Sequence, residues 1–227
     1  MTSPYKREGK TPEPEASSET VILRSRGTKN FVVHARPLAH LSKYFRTALN
    51  SGFQEASKRE FELDVHCNEE ILRIFTSWVY MRSSGVTYQT DELPFLQELA
   101  QKLVIKAWLF GDYVQAPAFQ NDMMILMVGV GNRQFDPKLF RIIGSSIPKD
   151  SALEEYFVDR FCSLLFHHPR RSMDWMMNRL PKNLIDGVCR QLATLIWDQE
   201  KWVGGRFYDW KNRKAREYEV QEEGGPY

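Results

Sequence analysis

Phe31 to Asn50 reads FVVHARPLAHLSKYFRTALN, and the change of period inside this stretch decides how the chain folds. Phe31 and Val33 alternate onto one face, the period of a strand that ends at His34. From Pro37 onward the apolar residues Leu38, Leu41, Phe45 and Ala48 recur every three or four positions, the period of a helix. A helix over Pro37–Leu49 is predicted, stopped near Gly52, with Pro37 in its first turn, where a missing N–H costs nothing. Upstream, Val21-Ile22-Leu23 is a second β-branched run. The polar, glycine-containing residues Arg24–Asn30 separate the two, so they read as a hairpin. Downstream, Phe61–Val65 alternates again and predicts a third strand with one buried face.

Helices dominate the rest. Asn68 is a candidate N-cap with Glu69 and Glu70 in an acidic first turn, followed by the stripe Ile71, Ile74, Phe75, Trp78 and Val79. Met81–Thr90 is a predicted loop with a brief strand at Val86–Tyr88. Leu96, Leu99, Leu103, Ala107 and Phe110 predict a helix over Pro94–Val114. Pro117 opens another through Phe119, Met123, Leu126 and Met127. No strand is predicted beyond Gly129. Asp136-Pro137 caps a short helix ending near Gly144, Ser151 and Glu154 have capping-box spacing, and Leu153, Phe157, Phe161 and Leu164 form the apolar face behind them. Pro181 leads a last helix, with Leu184, Val188, Leu192 and Leu195 in register. The expected class is α+β: a short three-stranded sheet with flanking helices over residues 19–115, then an all-helical extension over 116–205. A polar tail with Pro4, Pro12 and Pro14 occupies 1–18 and is expected to be disordered. A charged aromatic tail occupies 206–227.

Composition narrows the functional classes. Among 227 residues, 31 Lys+Arg face 29 Asp+Glu, a balance that excludes an overall field favouring nucleic acid or an anionic membrane. With 42% hydrophobic and 13% aromatic residues the chain can bury a core large enough to offset chain entropy. The longest apolar run, Met123–Val130, is far shorter than the ~20 residues of a membrane span, and the first residues carry no secretory h-region. Cys67, Cys162 and Cys189 are scattered and odd in number, which predicts reduced thiols in a nuclear or cytoplasmic protein.

Phe31-Val-Val-His34, Pro37-Leu38-Ala39, Leu41-Ser42, Tyr44-Phe45, then Gly52-Phe53 and Glu55 occur in an order and spacing that resembles the BTB/POZ domain. Phe61-Glu-Leu63 is similar to that family's next strand. Ile71–Phe75 with Trp78-Val79-Tyr80, and Leu99-Ala100 with Lys102-Leu103, are similar to its next helices. The resemblance covers Val21 to Gln115. Leu109–Asn121, LFGDYVQAPAFQN, further resembles BTB proteins of filamentous fungi, in which such a segment leads into a helical C-terminal region. It implies a non-catalytic protein–protein interaction module whose partners are other proteins, either a second copy in a homodimer or a hetero-oligomer. Two alternatives follow. One is a substrate adaptor that meets a cullin scaffold of a ubiquitin ligase, and the other is a transcription-associated nuclear regulator. Residues 1–18 do not carry the helix and strand that transcription-factor-type members place before the first core strand.

The residues expected to carry the fold are Phe31, Val33, His34, Leu38, Leu41, Phe45, Phe75, Trp78, Leu99 and Leu103, with Tyr44 beside them. His34 is expected to be structural, its ring bonded to neighbouring backbone, and Ser42 to bond the backbone of its own helix. No catalytic, cofactor or metal residues are nominated. His167-His168 and His66-Cys67 are lone pairs, and adjacent helical residues diverge by ~100° rather than converging on one ion. Ser145-Ser146 lacks a nucleophile elbow, and Gly129-Val-Gly131 lacks the rest of a phosphate loop. Met123–Met127 reads as an adaptable core helix more than a partner groove, and Met173, Met176 and Met177 around Trp175 share that ambiguity. Trp197, Trp202, Phe207, Tyr208 and Trp210 precede the basic run Lys211–Arg216. That pattern suits nucleic acid or nuclear import, but the acidic residues that follow favour a short terminal helix packed on the domain.

Overall fold

The computed structural model describes residues 19–25, 29–51, 58–84, 101–130, 139, 146–167, 180–197 and 218–221. Strands β1 (Thr20–Arg24) and β2 (Phe31–His34) form the expected antiparallel pair, with Val21 opposite Val33 and Ile22 opposite Val32. Period-two burial follows: Val21, Leu23 and Val33 are fully buried while Val32 faces out. Strand β3 (Glu60–Glu62) lies on the other side of β1 and runs parallel to it, with Leu23 opposite Phe61, giving the order β2-β1-β3. It is shorter than the predicted Phe61–Val65. The Leu63 N–H still reaches the Arg24 carbonyl at 2.7 Å, but the chain turns at Val65-His66, where His66 takes φ 54°.

Parallel neighbours need a crossover. Here it runs through β2, α1 (Ala35–Leu41) and α2 (Lys43–Asn50). The single helix predicted over Pro37–Leu49 is therefore two. Ser42 breaks it in an extended conformation, φ −137° and ψ 124°. Its hydroxyl accepts the Phe45 N–H and donates to the Val114 carbonyl, while the Lys43 N–H bonds the Gln115 carbonyl at 3.1 Å. A serine side chain that satisfies backbone groups in place of a helical turn makes an N-cap. Ser42 thus bonds its own helix, as expected, and also ties it to a segment 72 residues away.

Helix α3 (Glu69–Ser83) begins as predicted, with the Asn68 carboxamide accepting the Ile71 N–H at 2.9 Å. Helices α4 (Gln101–Tyr113) and α5 (Pro117–Val130) join through a Schellman turn. In it the Ala116 N–H bonds the Gly111 carbonyl, and Gln115 adopts φ 51° where glycine is usual. Gly111 lets the two helices approach: a Cβ there would lie 2.9 Å from the Gln120 Cγ and 3.0 Å from the Phe119 ring. Helices α6 (Ala152–His167) and α7 (Lys182–Trp197) follow. The Ser151 hydroxyl accepts the Glu154 N–H, but the Glu154 carboxylate reaches the Asp150 N–H, one residue before the position of a standard capping box.

The core is continuous from sheet to helices. Phe45 meets Phe61 with ring centroids 5.3 Å apart, and Phe75 meets Phe110 and Phe119 at 5.3 and 5.2 Å. Trp78 packs on Phe119 at 5.0 Å and donates its indole N–H to the Asp122 carboxylate at 2.7 Å. Residues after 115 thus complete the core of the residues before it. Met123, Met124, Leu126 and Met127 are all buried, which gives the methionine stretch its core role. Of the expected core residues, Val33, Leu38, Phe45, Phe75 and Trp78 are buried; Phe31, Leu41, Tyr44 and Leu103 pack partly buried against them. No helix among the described residues is long and apolar enough to cross a membrane.

Candidate interaction surfaces

The outward side of β2 carries the most exposed apolar residue of the sheet, Val32, 59% exposed. Its cross-strand partner is Ile22, half-buried on the same outward side, so the two form a small apolar spot. The Ala35 N–H bonds the Glu19 carbonyl at 2.9 Å. By antiparallel alternation the backbone groups of Phe31 and Val33 then serve β1, while those of Val32 and His34 face the free edge. Tyr80, 40% exposed on α3, stands at that edge. Its hydroxyl accepts the His34 backbone N–H at 3.1 Å and lies 2.9 Å from the His34 Nδ1, with the rings edge-on at 5.8 Å. Tyr80 O–H donating to Nδ1, with the ring proton on Nε2, satisfies all three groups.

This corrects the expectation for His34. It is exposed, and its ring bonds the Tyr80 side chain rather than neighbouring backbone. The clamp leaves the Val32 N–H and C=O as the exposed backbone pair of that edge among the described residues. The opposite edge is guarded differently. The Ile22 N–H bonds the Arg59 carbonyl and the Leu63 N–H the Arg24 carbonyl, so the backbone of Glu60 and Glu62 faces away from β1. Charged residues on an edge strand oppose unwanted strand pairing. Arg24 pairs with Glu60 at 2.5 Å and Arg59 with Glu19 at 3.1 Å, the latter holding the Glu19 carboxyl below its usual range.

A concavity of about 420 Å³ lies between the start of α6 and one face of α7. Asp150, Glu154, Glu155, Arg190, Thr194 and Tyr218 line it. Glu154 is held in place by the Asp150 N–H and by the Asn183 carboxamide at 3.0 Å.

Two of the thiols, Cys67 and Cys162, are poorly suited to nucleophilic chemistry. Burial pushes both Cys67 and Cys162 up to about 12, against a usual value of 9.0. Cys189 is exposed on α7. His66 is lowered by burial and by the nearby Lys106 ammonium. Among the described residues no three His, Cys, Asp or Glu side chains gather to hold a metal ion.

Three functionally interesting residues were not singled out by sequence reasoning: Tyr80 as an edge clamp, Asn121, which bonds the Val220 backbone, and Tyr218, which bonds Asp159. Tyr80 and Asn121 appear in the sequence only as the ends of family-like motifs, and Tyr218 only within a tail. Several expectations lie outside the described residues. They are the tail 1–18, Gly52-Phe53 and Glu55, the strand at Val86–Tyr88, Leu96 and Leu99. The others are Asp136-Pro137, Gly144–Ser145, His168, Met173–Met177, Trp202–Trp210 and the run Lys211–Arg216. A comparison with models of known protein families and with curated proteins finds no match to this chain.

Proposed function

We propose that this chain is a protein–protein interaction module of BTB/POZ type, without catalysis, that offers the outward side of β2 and the adjoining end of α3 to another protein. The observation that carries the reading is the mixed sheet of order β2-β1-β3, closed by a crossover through a two-helix pair that begins directly after β2. That arrangement accords with the order of motifs from Phe31 to Leu63. The exposed Val32 and Tyr80 supply apolar and aromatic contact area beside a short open backbone edge. Tyrosine is favoured at interfaces because one end is apolar and the other hydrogen-bonds.

The test compares the wild-type chain with Val32→Lys, a substitution at a solvent-facing strand position that leaves the core untouched. Light scattering of the 26.6 kDa chain over the micromolar range reads self-association directly. Quantitative affinity purification reads other partners. The expected outcome is an association, homotypic or heterotypic, present with the wild type and lost with Val32→Lys. A wild-type monomer whose recovered partners are the same for both proteins overturns the reading.

A further inference from the structure

The described residues 218–221 sit on the fold in the manner of a bound peptide. Asn121, on α5, addresses the backbone of Val220 in both directions. Its carboxamide N–H donates to the Val220 carbonyl at 3.0 Å, and its oxygen accepts the Val220 N–H at 2.6 Å. A side-chain amide that pairs with both polar groups of one residue does what a neighbouring strand would do, and it makes no demand on that residue's side chain. Two positions earlier Tyr218 is inserted and only 2% exposed. Its hydroxyl donates to the buried Asp159 carboxylate of α6 at 2.8 Å, and its ring meets Tyr156 edge-on at 5.6 Å. Tyr156 is itself fixed by donating its hydroxyl to the Met127 carbonyl of α5. Glu219 and Gln221 between and after these anchors are exposed, and Val220 is half-buried against the core. The segment also forms one wall of the 420 Å³ concavity beside α7.

Backbone pairing at one residue, a deep aromatic anchor two residues before it and a solvent-facing residue between them are how side chains grip a short peptide segment. We propose that α5 and α6 form a peptide-binding groove for a Tyr-x-aliphatic segment, occupied in this chain by its own Tyr218–Val220. Asp159 selects tyrosine over phenylalanine, because a ring without the hydroxyl leaves a buried carboxylate short of a donor. Asn121 selects a residue whose backbone N–H and C=O are both uncommitted to secondary structure. The resident segment is tethered, so it competes at an effective concentration of order millimolar, and a free peptide binds well only when it is displaced.

The test uses the full chain and a labelled synthetic peptide of residues 214–223, KAREYEVQEE. Tyr218→Ala removes the resident anchor. The peptide should bind Tyr218→Ala at least about tenfold more tightly than wild type. Replacing the peptide's tyrosine by phenylalanine should weaken binding about tenfold or more, and adding Asn121→Ala to the protein should weaken it likewise. A folded Tyr218→Ala protein that does not bind the peptide, or binds it no better than wild type does, overturns the proposal. Native-state hydrogen exchange of the wild type gives an answer that needs no variant to fold. A displaceable segment lets the Val220 amide exchange through local opening, at a rate insensitive to low denaturant, while central α5 amides require global unfolding. A Val220 amide that exchanges only with global unfolding makes the segment an inseparable part of the core and overturns the proposal.

Discussion

Ser42 shows how one side chain sets the course of the chain. It caps α2, and it gives its hydroxyl proton to the Val114 carbonyl at the far end of α4. Ser42→Ala should cost about 1–3 kcal/mol in urea unfolding, from a lost cap and a buried carbonyl left without its donor. Ser42→Thr, which keeps the hydroxyl, should cost less. Cys67 and Cys162 make a second prediction at this scale. Their thiols ionise near 12 in the folded protein against a usual 9.0. Below pH 9 both states hold these protons and the thiols contribute nothing to pH dependence. Between pH 9 and 12 the unfolded chain releases them while the folded chain keeps them, so stability should fall as pH rises through that window. Denaturant midpoints measured from pH 8 to 10.5 should decline, and the decline should be shallower in a Cys67→Ala, Cys162→Ala double variant.

At the scale of elements, two glycines govern how closely helices approach. Gly111 serves α4 against α5, and Gly187 serves α6 against α7, where a Cβ would stand 2.7 Å from the Val158 Cγ2. Helix propensity alone favours Gly187→Ala by about 1 kcal/mol. The clash with a branched, buried side chain reverses the sign, so Gly187→Ala should destabilise by about 1–3 kcal/mol. Val158→Ala removes the obstructing methyl groups. The double variant should therefore be more stable than the sum of the single effects, a coupling that a thermal or urea mutant cycle reads. Periodicity made the elements themselves legible. The Asn68 cap of α3, the Pro117 start of α5 and the Val21/Val33 face of the hairpin all follow from local spacing. The break at Ser42 did not, because Leu38, Leu41 and Phe45 keep helical spacing across it. What wins there is a tertiary acceptor, the Val114 carbonyl, that no local pattern displays.

Across the whole molecule the core ignores the boundary that motif order places at residue 115. Phe119 packs edge-on against both Phe75 and Trp78, and Asp122 accepts the hydrogen bond of the Trp78 indole N–H. A fragment of residues 19–115 should therefore lack a cooperative unfolding transition by circular dichroism, since it exposes the Phe75–Trp78 face. The full chain should show such a transition. Local pattern was enough for the α+β class and for most of the elements: strands where apolar residues alternate, helices where they recur every three or four, caps where Asn, Ser and Pro stand at their starts. These depend on forces acting within a few residues. The tertiary structure alone decided the parallel pairing of β3 with β1, the Tyr80 clamp on His34, the completion of the first core by α5, and the seating of Tyr218 and Val220 on α5 and α6. Each of these joins residues tens of positions apart, and the Asn121–Val220 pair spans 99. Hydrogen bonds and ring contacts of that kind exist only once packing has brought their partners together, so a period read along the chain carries no trace of them.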